Sequence, residues 1–117
     1  MNAKKIIITI IVVFFLIISS RYINEYAVDF MSNQKEMEKG LIAGAHPYSM
    51  DVNPDIAVLF IHGTSSSPRD FMELSQFLAS KNISSRAMLL PGHGTHPKDL
   101  ASIKYTEWTN SVEKEIN

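Results

Sequence analysis

The 117 residues are 45% hydrophobic and 20% charged, with mean hydropathy near zero, which excludes a disordered or collagen-like chain and leaves room for one domain at most. No cysteine is present, so disulfides, thiolate metal sites and a cysteine nucleophile are excluded. Lys4 and Lys5 are the only charges among the first twenty residues, and the remainder holds nine Lys and Arg against twelve Asp and Glu. A mildly acidic body of this kind argues against a nucleic-acid partner, which selects a basic face.

Twelve of the thirteen residues from 6 to 18 are apolar, Thr9 being the exception. Thirteen helical residues span about 20 Å, short of a bilayer core of roughly 30 Å. Snorkelling of Lys4 and Lys5 extends the usable stretch to residues 3–22. The run has no polar stripe and therefore no solvent face. Residues 1–22 are read as a signal anchor or signal peptide. Ser20 with Ile18 matches the small-residue cleavage pattern poorly, which favours the uncleaved anchor. Two lysines before the run against Arg21 after it place the amino terminus in the cytoplasm and the body outside, with secretion as the alternative. Residues 23–44 carry mixed charge and end in Gly40 and Gly44, and read as a linker or a poorly packed helix, a spacer that would hold the body off the membrane.

Residues 45–52 suggest a short strand that Pro47 confines to an edge. Asn53-Pro54-Asp55 is a turn. Residues 56–61 are continuously apolar, which predicts a strand buried on both faces in a parallel sheet. A loop of small residues follows, His62-Gly63-Thr64-Ser65-Ser66-Ser67. Ser67 and Pro68 then mark a helix start, with Asp70 in the first turn. Phe71, Leu74, Phe77 and Leu78 recur at helical spacing as its buried face. Residues 83–90 make a second strand, weaker at its start, where Ser84 and Ser85 stand. Pro91-Gly92-His93-Gly94-Thr95-His96-Pro97 is a tight loop, and a last helix from about Thr106 aligns Trp108, Val112 and Ile116. Strand, helix, strand and helix joined by short loops predict an α/β fold around a parallel sheet.

The loop 62–64 follows the carboxyl end of the buried strand, where open α/β sheets bind their ligands. Gly63 would let the chain turn sharply and approach a ligand. The Thr64 amide could then face a developing oxyanion. A plain strand-to-helix turn accounts for the same tripeptide. His46, His62, His93 and His96 contain no metalloprotease motif, and loop-structuring or solvated histidines are the preferred reading over a His93/His96 metal pair. Nucleotide binding lacks both of its glycine-rich motifs. Trp108 reads as packing.

Val58-Leu59-Phe60-Ile61-His62-Gly63-Thr64 followed some thirty residues later by Leu89-Leu90-Pro91-Gly92-His93-Gly94-Thr95 resembles the α/β-hydrolase family, in its carboxylesterase and monoacylglycerol-lipase branch. The resemblance covers residues 45–117. It implies the amino-terminal part of an α/β-hydrolase parallel sheet with flanking helices, preceded by the transmembrane or signal helix. It implies that the Thr64 amide is an oxyanion donor, that His62 and Gly63 shape that loop, and that Gly92, His93 and Gly94 form a second loop. Neither histidine matches the catalytic one. The family's nucleophile lies in Gly-x-Ser-x-Gly, which occurs nowhere here, and Ser65, Ser66 and Ser67 lack the second glycine. The expected function is therefore that of a truncated serine ester hydrolase without its triad, inactive alone, whose intact form takes an acyl ester or acylglycerol and needs no cofactor or metal. The alternative is a non-catalytic anchored binding module on a hydrolase remnant. The expected fragment has an unpaired strand edge and is marginally stable.

Overall fold

The structure is a computed structural model and describes residues 2–116. The chain divides into two units, Met1–Gln34 and Lys35–Asn117.

The first unit is one helix, α1 (Ala3–Asn33), with no buried residue. The Asn2 side chain accepts a hydrogen bond from the Lys4 N–H at 3.4 Å, capping its start. Neither glycine nor proline interrupts the 31 residues. Thr9, the polar exception in the apolar run, donates its hydroxyl to the Lys5 carbonyl at 2.9 Å and so leaves no unpaired donor on the helix surface. The helix runs through the first half of the expected 23–44 linker, because no breaker occurs before Gly40.

The second half of that linker is also ordered. Strands β1 (Met37–Glu38) and β2 (Leu41–Ile42) pair antiparallel, with Met37 opposite Ile42 and Glu38 opposite Leu41. Lys39 and Gly40 have φ of 49° and 85°. Positive φ at both central residues is the tight hairpin geometry whose twist matches its strands.

The main sheet has three strands in the order β3 (Tyr48–Met50), β5 (Ser84–Met88), β4 (Ala57–Ile61). β4 and β5 are parallel, with Ile61 opposite Met88, and β3 is antiparallel to β5. β4 and β5 make the expected parallel pair, and the antiparallel edge strand β3 makes the three-stranded sheet mixed. The cause is local. The chain reverses across Asn53-Pro54-Asp55, where the Asn53 side chain accepts the Asp55 N–H at 2.8 Å. Ser84 clamps the reversal: its Oγ accepts the Val52 and Asn53 N–H groups and donates to the Asn53 carbonyl. β3 and β4 must then run in opposite directions on either side of β5.

The burial order is inverted relative to the sequence reading. The apolar segment 56–61 sits at the sheet edge, with Ile56 and Ile61 about half exposed. The plain-looking β5 is central, and Ser84, Ser85, Ala87 and Met88 are all buried. Its small side chains let α2 (Met72–Ser80) approach closely, and Ser75 on that helix is fully buried, its hydroxyl 3.0 Å from the Tyr48 hydroxyl. A short 3₁₀ turn, Pro68–Phe71, precedes α2. The expected stripe of four apolar residues is corrected as well. Phe71 stacks on Phe60 with ring centroids 4.7 Å apart, and Leu78 is half-buried, but Leu74 and Phe77 are exposed. Asn82 ends the helix in the left-handed region, φ 59°.

Two further helices follow, α3 (Pro97–Ser102) and α4 (Tyr105–Ile116). The first was not evident in the sequence. His96 caps it by accepting the Lys98 N–H on its ring Nδ1 at 3.1 Å, while Asp99 accepts the His96 backbone N–H. On α4, Trp108 and Val112 are half-buried and Ile116 is exposed. Glu115 pairs with Arg86 of β5 through two hydrogen bonds.

Candidate active-site loops

Parallel pairing of β4 and β5 puts their carboxyl ends side by side, so the loops 62–67 and 89–96 leave the sheet as neighbours. His62 ties them together. Its ring Nδ1–H donates to the Gly63 carbonyl at 2.9 Å, and its Nε2 accepts the Leu90 N–H at 3.0 Å. The ring is 4% exposed, and both nitrogens are committed in a way that only the neutral form satisfies. Burial, the largest influence, pushes its pKa below 6.5; the Gly63 carbonyl acts in the opposite sense and the neighbouring His93 in the same sense as burial.

This predicts a pH effect on stability. A histidine with a depressed folded pKa contributes stability that is complete above the unfolded value, here 6.5, and is lost as pH falls through the folded value. The melting temperature of the detergent-solubilised chain should be level above pH 7 and should fall on acidification below 6.5. His62→Gln can still accept the Leu90 N–H but does not titrate, and it should remove that step. A step that persists in the variant would assign it to another group.

The second loop is held from several sides. The His93 ring is buried edge-on against His62, with centroids 4.7 Å apart, and its Nδ1–H donates to the Pro91 carbonyl at 3.2 Å. The same carbonyl accepts the Trp108 Nε1–H at 3.0 Å, so Trp108 fixes the loop as well as packing near it. The Gly94 carbonyl accepts the Ile42 N–H at 2.7 Å, which fastens the β1–β2 hairpin to the loop. Gly92 and Gly94 have φ of 76° and 72°. A Cβ on Gly92 would lie 2.6 Å from Ile103 Cγ1 and 2.9 Å from the Leu100 Cα. The backbone favours glycine at both positions, and close approach requires it at Gly92.

Gly63 differs from the expectation. Its φ lies outside the left-handed region, and a Cβ there would meet nothing within 4 Å. The turn that follows does not depend on it. Its carbonyl accepts the Ser66 N–H at 3.2 Å, closing a turn with Thr64 and Ser65 at its centre. The central amides of such a turn are not used in closing it. Among the described residues, none accepts a hydrogen bond from the Thr64 N–H. Thr64 is exposed and lines an open cleft of about 470 Å³, shared with Ser65, Ser66, Gly92, His93 and Gly94.

Two of the three serines, Ser66 and Ser67, are engaged in starting the helix. Ser66 Oγ donates to Asp70 Oδ2 at 2.6 Å, and the Ser67 N–H reaches the same oxygen at 3.5 Å. These bonds, that from Ser66 first, hold the Asp70 carboxyl below its ordinary range. His46 is occupied with the Glu38 carbonyl at 2.9 Å. Among the described residues no group of three His, Cys, Asp or Glu stands close enough to share a metal ion. Sequence reasoning missed the Leu90 amide, the Trp108 hydrogen bond and the hairpin contact, since all three depend on residues distant in the chain. Only Trp108, a large half-polar side chain in an otherwise ordinary helix, left a signal that could have been followed.

No family model matches the chain. It is 30% identical over 74 residues to the thermostable monoacylglycerol lipase of Bacillus sp. (strain H-257), a match covering 63% of this chain and 29% of that protein. A solved structure from work on two metagenome-derived lipolytic enzymes, LipS and LipT, superposes with a TM-score of 0.58 at 29% identity, over 64% of this chain and 30% of that one. Over this stretch the chain is similar in sequence and in fold to lipolytic enzymes. It spans about three tenths of the length of the relatives it matches. Within the lipase-like segment, the two loops that carry the resemblance adjoin across the parallel pair β4 and β5.

Proposed function

We propose that the lipase-like segment supplies the oxyanion loop of a membrane-anchored carboxylic-ester hydrolase acting on acylglycerols or short acyl esters. The observation that carries this reading is the free Thr64 N–H at the carboxyl end of β4, beside an open cleft bounded by Gly92, His93 and Gly94. An amide of this kind donates to the oxygen of a tetrahedral intermediate as negative charge collects there, at a position the fold sets beforehand. His62 and Trp108 support it by holding the two loops in place, and Asp70 by fixing the serines that follow. The reaction also needs a nucleophilic serine, a base and an acid, and no Gly-x-Ser-x-Gly occurs in these 117 residues. The chain alone should therefore show no ester turnover. The apolar helix supports a bilayer location, by length and composition.

The test is a transplant. The aligned 74-residue segment replaces its counterpart in the Bacillus monoacylglycerol lipase, and hydrolysis of a monoacylglycerol is measured. Turnover well above the uncatalysed rate is expected. A chimera that melts cooperatively yet does not turn over would refute the reading.

A further inference from the structure

The helix α1 changes character along its length. From residue 6 to residue 18 it is apolar on every side. From residue 21 onward it has two stripes. Tyr22, Tyr26 and Phe30 recur at i, i+4 and i+8 on one face, and Arg21, Glu25 and Asp29 recur at the same spacing on the adjacent one. Tyr22 and Tyr26 are 70% and 73% exposed, and the Phe30 ring stacks on Tyr26 with centroids 6.3 Å apart. Large aromatic groups left this open on a helix require a surrounding that suits them.

Lengths identify it. The apolar run is centred on Val12, and a helix rises about 1.5 Å per residue. Tyr22 lies about 15 Å from that centre and Tyr26 about 21 Å. A bilayer's hydrocarbon half-thickness is about 15 Å, and its headgroups extend to roughly 20–22 Å. Phe30 lies about 27 Å out, one turn beyond the headgroups, and its ring stacks on that of Tyr26. On the other side, Lys4 and Lys5 start about 12 and 10 Å from that centre and reach the opposite headgroups by snorkelling. Tyrosine suits this layer because its ring is apolar and its hydroxyl stays wet.

We propose that Tyr22 and Tyr26 form an aromatic anchor in the headgroup layer of a phospholipid bilayer, with Phe30 stacked on Tyr26 from the water side, setting the depth of α1 so that the helix leaves the membrane surface near Ala27. The inference rests on the reading of residues 3–22 as an uncleaved anchor and extends it by a further two turns of helix.

The absence of cysteine makes the test clean. Single-cysteine variants Val12→Cys, Ile23→Cys, Ala27→Cys and, as an exposed reference, Ser49→Cys of the full chain are labelled with a small fluorophore in phosphatidylcholine/phosphatidylglycerol vesicles. Quenching is compared between lipids with a nitroxide at the headgroup and lipids with one deep in the acyl chain. The headgroup nitroxide should be the stronger quencher at 23 and 27, the order should reverse at 12, and position 49 should respond to neither. Replacing all three aromatic residues by serine should lower headgroup quenching at 27. If position 12 is deeply buried but 27 behaves like 49, the aromatic anchor is refuted while the membrane span stands. If position 27 instead forms disulfide-linked dimers in the membrane and escapes the lipid quencher, the stripe is a seam between copies and the proposal fails. Release of the chain by alkaline carbonate, or its recovery without the first twenty residues, overturns the anchor reading and this inference with it.

Discussion

Gly92→Ala is expected to abolish cooperative folding of the second unit or to lower its melting point severely. Gly92 has φ 76°, a region that costs an L-residue roughly 1–2 kcal/mol. The added methyl would also stand 2.6 Å from Ile103 Cγ1 and 2.9 Å from the backbone of Leu100. The Ile103 side chain can give way, but the α3 backbone can move only if the loop moves with it, and overpacking of this kind costs typically about 1–3 kcal/mol. The sum, about 2–5 kcal/mol, is a large part of what a small domain has. Gly94→Ala is the useful comparison. Its φ is 72°, but its closest contacts are Ala45 Cβ and Leu89 Cδ2 at 3.1 and 3.2 Å, so the Leu89 side chain can turn aside and Ala45 need give by only a few tenths of an ångström. Thermal melts followed by circular dichroism should rank the wild type above Gly94→Ala and Gly94→Ala above Gly92→Ala. The reverse ranking would mean that the backbone of α3 does not confine this loop.

Thr64→Pro, made in the transplanted lipase, is expected to lower kcat by about 10²–10³ with a much smaller effect on KM. Proline removes the one atom that matters, the amide hydrogen, and leaves the carboxyl end of β4 otherwise unchanged. Its ring suits the second position of a turn, which is where Thr64 stands, since the turn is closed by Ser66 N–H on the Gly63 carbonyl. A loss confined to kcat identifies an interaction made in the transition state. Thr64→Ala retains the N–H and should fall less than tenfold. Equal losses in the two variants would shift the role from the backbone to the threonine side chain, and no loss in the proline variant would remove Thr64 from the reaction.

Much of the candidate site was legible because it depends on local chemistry. An apolar strand followed by His62-Gly63-Thr64, and a loop with glycines at 92 and 94, announce themselves through residue types that only certain backbones tolerate or require. Ser67, Pro68 and Asp70 similarly mark where a helical segment begins, although the first turn proved to be 3₁₀. The order of burial was not legible. Residues 56–61 read as the deepest strand because every side chain is apolar, yet they lie at an edge of the described sheet. Ser84 and Ser85 read as weak strand formers, yet their small size suits the centre, where Ser75 presses against the sheet. Hydrophobicity measures what a residue gains on burial, whereas position in a sheet is set by which neighbours can come close.

Taken alone, the amino-acid order determined that one helix could enter a membrane, that strands and helices alternate in the body, and that two glycine-containing loops carry the resemblance to lipolytic hydrolases. These are properties of short stretches, governed by the conformations each residue allows and by the periodicity of apolar side chains. Tertiary structure alone decided that β5 lies between β3 and β4, that His62 is neutral and joins the loops, and that Trp108 braces Pro91. It also decided that the Thr64 amide remains unspent beside a cleft. The strand order, the two ties and the cleft beside Thr64 each bring together residues far apart in the chain, and no single stretch of sequence carries the geometry that creates them.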